Sequence, residues 1–254
     1  MLKDTVELFA IPVAKTTSQQ ALEAIVEMAK SRQGRAKIVA TLNVDFVSNA
    51  VECWPFKGNR ELWDYLKGAD YVTADGMPIV LLSKLVRNPL PERVTGADLV
   101  PALFRRCAEE GLSVYILGGS QPALDEAIEK LPKAKIAGMD TSFVKLEQEQ
   151  PEIIARINEA KPDLLFVALG NPKQELWMGR NASKLDVPVM IGVGGTFNFV
   201  SGKVKRAPRW MQRCGLEWIY RIIQEPGRLW RRYAYGLFKF SWLSVRLLCK
   251  GGRL

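Results

Sequence analysis

Histidine is absent from this chain of 254 residues, and its four cysteines, Cys53, Cys107, Cys214 and Cys249, stand far apart with no Cys-x-x-Cys pair. These absences remove most zinc and haem constellations, which need clustered imidazole or thiolate ligands. They fit isolated reduced thiols in a cytosolic protein. No Gly-x-Gly-x-x-Gly stands at a strand-to-helix turn, so the dinucleotide signal is weak. Nor is there an Asp-x-Asp of the kind that holds a metal ion together with a nucleotide diphosphate, so a diphosphate bound here needs a metal-free partner for its charge. No window reaches the ~18 uncharged apolar residues of a spanning helix, and Met1-Leu2-Lys3-Asp4-Thr5 lacks the apolar run of a signal peptide. The expectation is a protein made and kept in the cytoplasm. Internal repeats and low-complexity linkers are missing as well.

What the chain does have is a polarised charge distribution. Of 36 basic and 27 acidic residues, 13 basic and only two acidic ones, Glu217 and Glu225, lie in residues 203–254. The first 202 residues are therefore about neutral, and the net +9 comes from the tail. The same tail carries Trp210, Trp218, Trp230 and Trp242, four of the seven tryptophans, and is punctuated by Pro208 and Pro226. The break predicts a body over 1–202 and a basic, aromatic appendage over 203–254, with short helices at about 209–214 and 216–224 and a longer one from Gly227 onward.

In the body, β-branched apolar runs at 6–13, 37–42, 71–73, 114–117, 164–169 and 187–193 alternate with helical patterns at about 19–31, 59–66, 77–85, 97–110, 122–131, 150–160 and 173–184. This alternation predicts an α/β fold with a mostly parallel, Rossmann-like sheet flanked by helices. In such sheets ligands sit beyond the carboxyl ends of the strands. That rule selects Thr41-Leu42-Asn43-Val44-Asp45, Thr73-Ala74-Asp75-Gly76, Gly118-Gly119-Ser120, Gly170 to Glu175 and Gly194-Gly195-Thr196 as candidate site segments.

Each candidate has an ordinary reading beside the functional one. Asp75 precedes a helix, where it can act as an N-cap or, exposed to a crevice, as a catalytic base. The two roles compete, because helix-end donors stabilise the carboxylate and weaken it as a base. Gln174 opens a helix behind Asn171-Pro172, as a plain connection or with its amide aimed at sugar hydroxyls or a base edge. Thr41 and Asn43, two residues apart at a strand end, can do similar work, although Asn is equally ordinary in a turn. Gly118, Gly194 and Gly195 permit close approach of a ligand to the backbone. Arg221, Arg228 and Arg231 lie around Pro226, where guanidinium groups can match phosphate oxygens, though any one of them can equally be a solvated surface arginine. Farther on, Arg228, Arg232, Lys239, Arg246 and Lys250 fall within a helical stripe about 40° wide, and the remaining circumference is largely aromatic and aliphatic. That pattern suits a helix lying in a membrane interface, or one whose apolar side packs on the body.

Six ordered blocks spread over nearly the whole chain resemble the WecG/TagA/CpsF family of bacterial glycosyltransferases. They are Thr41-Leu42-Asn43; Thr73-Ala74-Asp75-Gly76-Met77-Pro78; Arg93-Val94-Thr95-Gly96-Ala97-Asp98; Gly170-Asn171-Pro172-Lys173-Gln174-Glu175; Gly192-Val193-Gly194-Gly195-Thr196-Phe197; and Arg206-Ala207-Pro208 through Gly215-Leu216-Glu217-Trp218 to Arg221 and Glu225-Pro226. The resemblance implies an inverting, metal-independent transfer, without a cofactor, of a sugar from a UDP-sugar donor to a lipid-linked saccharide acceptor. N-acetylmannosamine or a related hexose or uronic acid is the implied sugar, in the assembly of teichoic acid, enterobacterial common antigen or exopolysaccharide. It further implies Asp75 as general base, Thr41 as a second catalytic residue that lines the pocket with Asn43 and Gln174, and Arg221, Arg228 and Arg231 reaching from the appendage to the donor diphosphate. Asn198 stands where the family commonly has Asp, which bears on the donor sugar. The expected partners are thus the UDP-sugar, the lipid-linked acceptor and an anionic membrane surface on the inner face of the cytoplasmic membrane, with homo-oligomer formation left open. Two other classes compete: a Rossmann-like nucleotide-binding protein whose basic tail contacts nucleic acid, and a non-catalytic scaffold.

Overall fold

The computed structural model describes residues 4–32, 34–142 and 144–249, without the side chains of Arg213 and Arg228. The chain opens with a hairpin, β1 (Thr5–Leu8) and β2 (Ile11–Ala14), followed by α1 (Ser18–Lys30), β3 (Lys37–Leu42), α2 (Val44–Ala50), α3 (Arg60–Gly68), β4 (Tyr71–Ala74) and α4 (Met77–Leu85). Next come α5 (Gly96–Glu110), β5 (Ser113–Gly118), α6 (Gln121–Lys130), β6 (Lys135–Asp140), α7 (Pro151–Ala160), β7 (Leu164–Ala168), α8 (Lys173–Asn181), β8 (Val189–Gly192) and α9 (Thr196–Ser201). The tail folds as α10 (Arg209–Arg213), α11 (Glu217–Gln224) and α12 (Pro226–Cys249).

Six strands form one sheet in the order β4-β3-β8-β7-β5-β6, parallel throughout. Because side chains alternate across a strand, Ile38 and Ala40 enter one core layer and Val39 the other, and on β7 Leu165 and Val167 oppose Leu164 and Phe166 in the same way. One layer is closed by α1, α5, α6 and α9, the other by α2, α3, α4, α8 and the hairpin. Chain order places β3 and β4 at one side and β5 and β6 at the other before β7 and β8 fill the centre. The carboxyl ends of β3, β8 and β7 therefore meet where the winding reverses, the position at which an open sheet offers a crevice.

Three features depart from the sequence expectation. The 6–13 run is two strands rather than one, turning at Phe9 and Ala10 with φ of 57° and 60°, and it pairs with itself outside the main sheet. Two consecutive positive φ values suit a two-residue hairpin turn, but that turn ordinarily announces itself with Asn or Gly, and neither is present. Strand β6 escaped the pattern because it is an edge strand, mostly half-exposed. The short helices α2 and α9, which the pattern did not give, begin at the ends of segments read as strand-end turns.

Helix α12 buries Leu229, Phe240, Leu243 and Leu247, and the last three share a core cluster with the hairpin and α2. Phe240 meets Phe9 edge to face at 6.1 Å. The cationic stripe lies along the margin of this docked face. Arg232 pairs with Asp45 at 2.8 Å, and Lys239, 1% exposed, donates to the carbonyl of Lys57. Lys250 and the Arg228 side chain lie outside the described residues. Facing outward instead are Trp230, Tyr235, Phe238, Trp242, Val245 and Leu248. Arg246, of the same stripe, lies instead over the outward Trp242 ring at 5.4 Å, so burying the aliphatic arc brings Arg232 and Lys239 onto acceptors of the body and leaves Arg246 on the outer side.

Candidate active site

Leu42 and Ala74 are register partners at the ends of β3 and β4, so the residues after them emerge side by side. Asn43 caps α2, its Oδ1 accepting the Phe46 N–H at 3.1 Å. Asp75 donates its own N–H to the Leu42 carbonyl at 2.7 Å. The N-cap of α4 is Gly76, with no side-chain capping bond, so Asp75 does not play the capping role at that helix. Its carboxylate turns instead to the start of α5, where Oδ2 accepts the Gly96 N–H at a long 3.4 Å. Burial pushes the Asp75 carboxyl up to about 7, opposed by Arg93, aided by Glu217, opposed by the Gly96 N–H and aided by Asp98. A carboxyl that titrates near neutrality is suited to proton transfer at cellular pH.

Across the crevice, Gln174 is buried and its Oε1 accepts from the N–H groups of Gly194 at 2.9 Å and Gly170 at 3.3 Å. The amide read as a ligand contact thus holds together the two glycine turns that follow β7 and β8. Thr41 is buried too, its hydroxyl 3.5 Å from the Gly192 carbonyl. Gly194 has a φ of 50°, and Gly195 is the N-cap of α9. Asn198, half-buried on α9, brings its amide nitrogen beside Gly195. Gly118 has a φ of 90°, and a Cβ there would lie 2.8 Å from the Ala168 carbonyl oxygen. The close approach at Gly118 is therefore that of a neighbouring strand's own backbone.

The tail closes over the Asp75 side. Gly215, with a φ of 72°, passes so near the start of α4 that a Cβ would stand 2.7 Å from the Met77 Cβ. Arg206 grips Asp98 through two bonds, Nη1 to Oδ1 at 2.6 Å and Nη2 to Oδ2 at 3.0 Å. Glu217 accepts from Arg93 Nη1 at 2.9 Å and lies 3.5 Å from Arg206 Nε. One turn further along α11, Arg221 sets its guanidinium 5.4 Å over the Phe199 ring, and its Nε is buried without a hydrogen-bond partner. A cleft of about 630 Å³ opens beside Phe199 and Arg206, although Asp75 does not line it. Arg231 is not brought to this seam. It is exposed over the neighbouring Trp230 ring at 5.6 Å, and Arg232 is the cation of that turn that reaches the body.

Sequence reasoning assigned no role to Arg93, Asp98, Arg206 or Glu217, although all four sit inside the six blocks. Their signal lies in complementary charge between blocks more than 100 residues apart, 124 for Arg93 and Glu217 and 108 for Asp98 and Arg206. Glu175 was also passed over. It is 1% exposed, and burial pushes its carboxyl up to about 7 against the opposing effects of Gln174, its own N–H, Asn171 and Arg232.

The model of a family described as "Glycosyl transferase WecG/TagA/CpsF family" matches residues 6–253. Two relatives carry the name N-acetylglucosaminyldiphosphoundecaprenol N-acetyl-beta-D-mannosaminyltransferase. The one from Bacillus spizizenii is 33% identical over 204 residues, 79% of this chain and 76% of the relative. The one from Bacillus subtilis is 32% identical over 199 residues, 77% of this chain and 74% of the relative.

Proposed function

Since the chain belongs to the WecG/TagA/CpsF family of glycosyltransferases, we propose that it moves N-acetylmannosamine, or a closely related sugar, from a UDP donor to N-acetylglucosamine on a prenyl diphosphate, with inversion and without a metal. The observation that carries this reading is Asp75, a carboxyl near neutrality at the end of β4, roofed by the tail. In the reaction an acceptor hydroxyl oxygen attacks the anomeric carbon. Its proton passes to the Asp75 carboxylate while the bond from that carbon to UDP breaks, and UDP leaves with the electron pair. Arg221, with an unpartnered buried Nε, supplies positive charge to the departing diphosphate. Thr41, Asn43, Gly118, Gln174, Gly194, Gly195 and Asn198 shape the donor side of the crevice, with Gln174 acting through the two turns it joins.

Reaching a lipid-linked acceptor calls for contact with a bilayer. Among the described residues no helix is long and apolar enough to cross a membrane. The outward arc of α12 offers a peripheral contact, joined by Trp54 of the body, 79% exposed, whose carbonyl accepts the Trp242 indole N–H at 3.3 Å. The alternative of a nucleic-acid-binding tail is disfavoured because Arg232 and Lys239 are spent on the body. Mass spectrometry of the full-length protein with a panel of UDP-sugars and a prenyl-diphosphate-linked N-acetylglucosamine tests the reading. Formation of the disaccharide-lipid with release of UDP is the expected result, and no product with any donor would refute it.

A further inference from the structure

We propose that Glu217 is a positioning residue that makes the basicity of Asp75 depend on docking of the tail, by neutralising Arg93. This deepens the reading of Asp75 as general base and rests on it. Arg93 and Glu217 are bonded at 2.9 Å and only 15% and 19% exposed, so the pair is largely withdrawn from water. Arg93 belongs to the body, in the segment leading into α5, and Glu217 opens α11 of the tail. The second oxygen of Glu217 faces Arg206, itself committed to Asp98, so the carboxylate is held on both sides. Gly215, two residues before Glu217, can lie against Met77 only because it has no side chain, which fixes the approach of the tail immediately beyond Asp75 and Gly76.

The charged groups acting on Asp75 are Arg93 from the segment before α5, Asp98 and the Gly96 N–H from α5, and Glu217 from α11. Of these, only Glu217 arrives with the tail. With the tail away, Arg93 has no tail carboxylate and water reaches Asp75, and both changes favour the ionised, weakly basic carboxylate. With the tail docked, Glu217 satisfies Arg93 and water is displaced, so Asp75 becomes a competent base once the site is closed. A donor held in the open site then meets a poor base, which restrains transfer of its sugar to water.

The test compares Glu217→Gln and Arg93→Gln in the full-length protein, reading kcat/KM for disaccharide-lipid formation from about pH 5 to 9. Each variant breaks the same ion pair, so undocking alone would move the acidic limb downward in both. Coupling through charge predicts opposite movements of roughly half a unit to one unit. Glu217→Gln lowers the limb and reduces the plateau several-fold, whereas Arg93→Gln raises the limb. The double variant returns the limb toward its original position, and Glu217→Asp preserves it. Shifts of the same sign, or no shift in either single variant, would overturn the inference. Wild-type turnover in Asp75→Asn would instead overturn the assignment of the base on which it rests.

Discussion

Arg232 of α12 pairs with Asp45 in the first turn of α2 at 2.8 Å, beside the buried Phe240, Leu243 and Leu247 that turn one side of the last helix to the body. The outward arc is then aromatic and aliphatic, with Phe238 65% exposed. Replacing Phe238 and Trp242 with serine is expected to reduce flotation of the protein with anionic vesicles at least ten-fold. Burial of one large apolar side chain contributes about 1.5–3 kcal/mol, more than the ~1 kcal/mol of one cation near an anionic surface. Arg232→Gln should instead lower the melting temperature slightly and leave flotation within a few-fold. Undiminished flotation of the serine variant would place the membrane contact elsewhere.

Asp75→Asn should retain the fold, since among the described residues the side chain makes a single, long backbone bond. Turnover is expected to fall roughly 10²-fold or more, as is usual when a general base is removed. In the wild-type enzyme, the acidic limb of kcat/KM should lie near pH 7, where the carboxyl loses its proton. A limb near pH 4 would mean that the base is another group or that Asp75 is hydrated during the reaction.

Glu175 bears on stability rather than on chemistry. Its carboxyl is pushed up from an ordinary 4.5 to about 7 in the folded protein. Between those values the folded chain keeps a proton that the unfolded chain releases, so the contribution of Glu175 to stability is most favourable below about pH 4.5 and declines as pH rises to about 7. The decline attributable to this group is up to roughly 3 kcal/mol, at 1.36 kcal/mol per pH unit. Glu175→Gln removes the titrating proton, so its urea-unfolding free energy should change less between pH 5 and pH 8 than that of the wild type. Parallel pH profiles for the two proteins would show that Glu175 is already hydrated in the native state.

Arg221 and Arg231 should behave differently under the same substitution. Replacing Arg221 with glutamine removes a half-buried guanidinium at the seam and is expected to cost about 1.5–3 kcal/mol of transition-state stabilisation, a loss of ten- to a hundred-fold in kcat/KM. Arg231→Gln should cost less, because that side chain is exposed over Trp230. Equal, large losses would mean that the tail rearranges around the donor and brings Arg231 inward. Activity abolished by EDTA and restored by magnesium would remove the need for either arginine at the diphosphate.

The regular alternation of β-branched runs and helical patterns made the parallel sheet legible, and with it the crevice at the carboxyl ends of β3, β7 and β8. Helix α4, expected over 77–85, spans Met77–Leu85, since Gly76 and Pro78 mark its start. The hairpin turn at Phe9-Ala10 and the edge strand β6 were not legible, because local patterns carry neither a left-handed turn without glycine nor a strand that buries little. Position at the strand ends selected Thr41, Asn43, Asp75 and Gln174 as candidates. Position did not say what their polar atoms do. Asp75 faces α5 rather than α4, and the Gln174 oxygen is taken by Gly170 and Gly194.

By itself, the sequence determined the elements, their order and the periodic division of α12 into cationic, aromatic and aliphatic strips, since these follow from backbone sterics and side-chain spacing. Which strip is turned inward was decided only by the tertiary structure. That choice depends on the apolar surface of the hairpin and α2, which takes Phe240, Leu243 and Leu247, and on acceptors beside it, Asp45 for Arg232 and the Lys57 carbonyl for Lys239. The same holds around Asp75, where Arg93 and Glu217 are ordinary charges in sequence. Docking of the tail makes them a withdrawn ion pair beside Asp75, because the energy of a charge is set by its neighbours in space and by the water they displace.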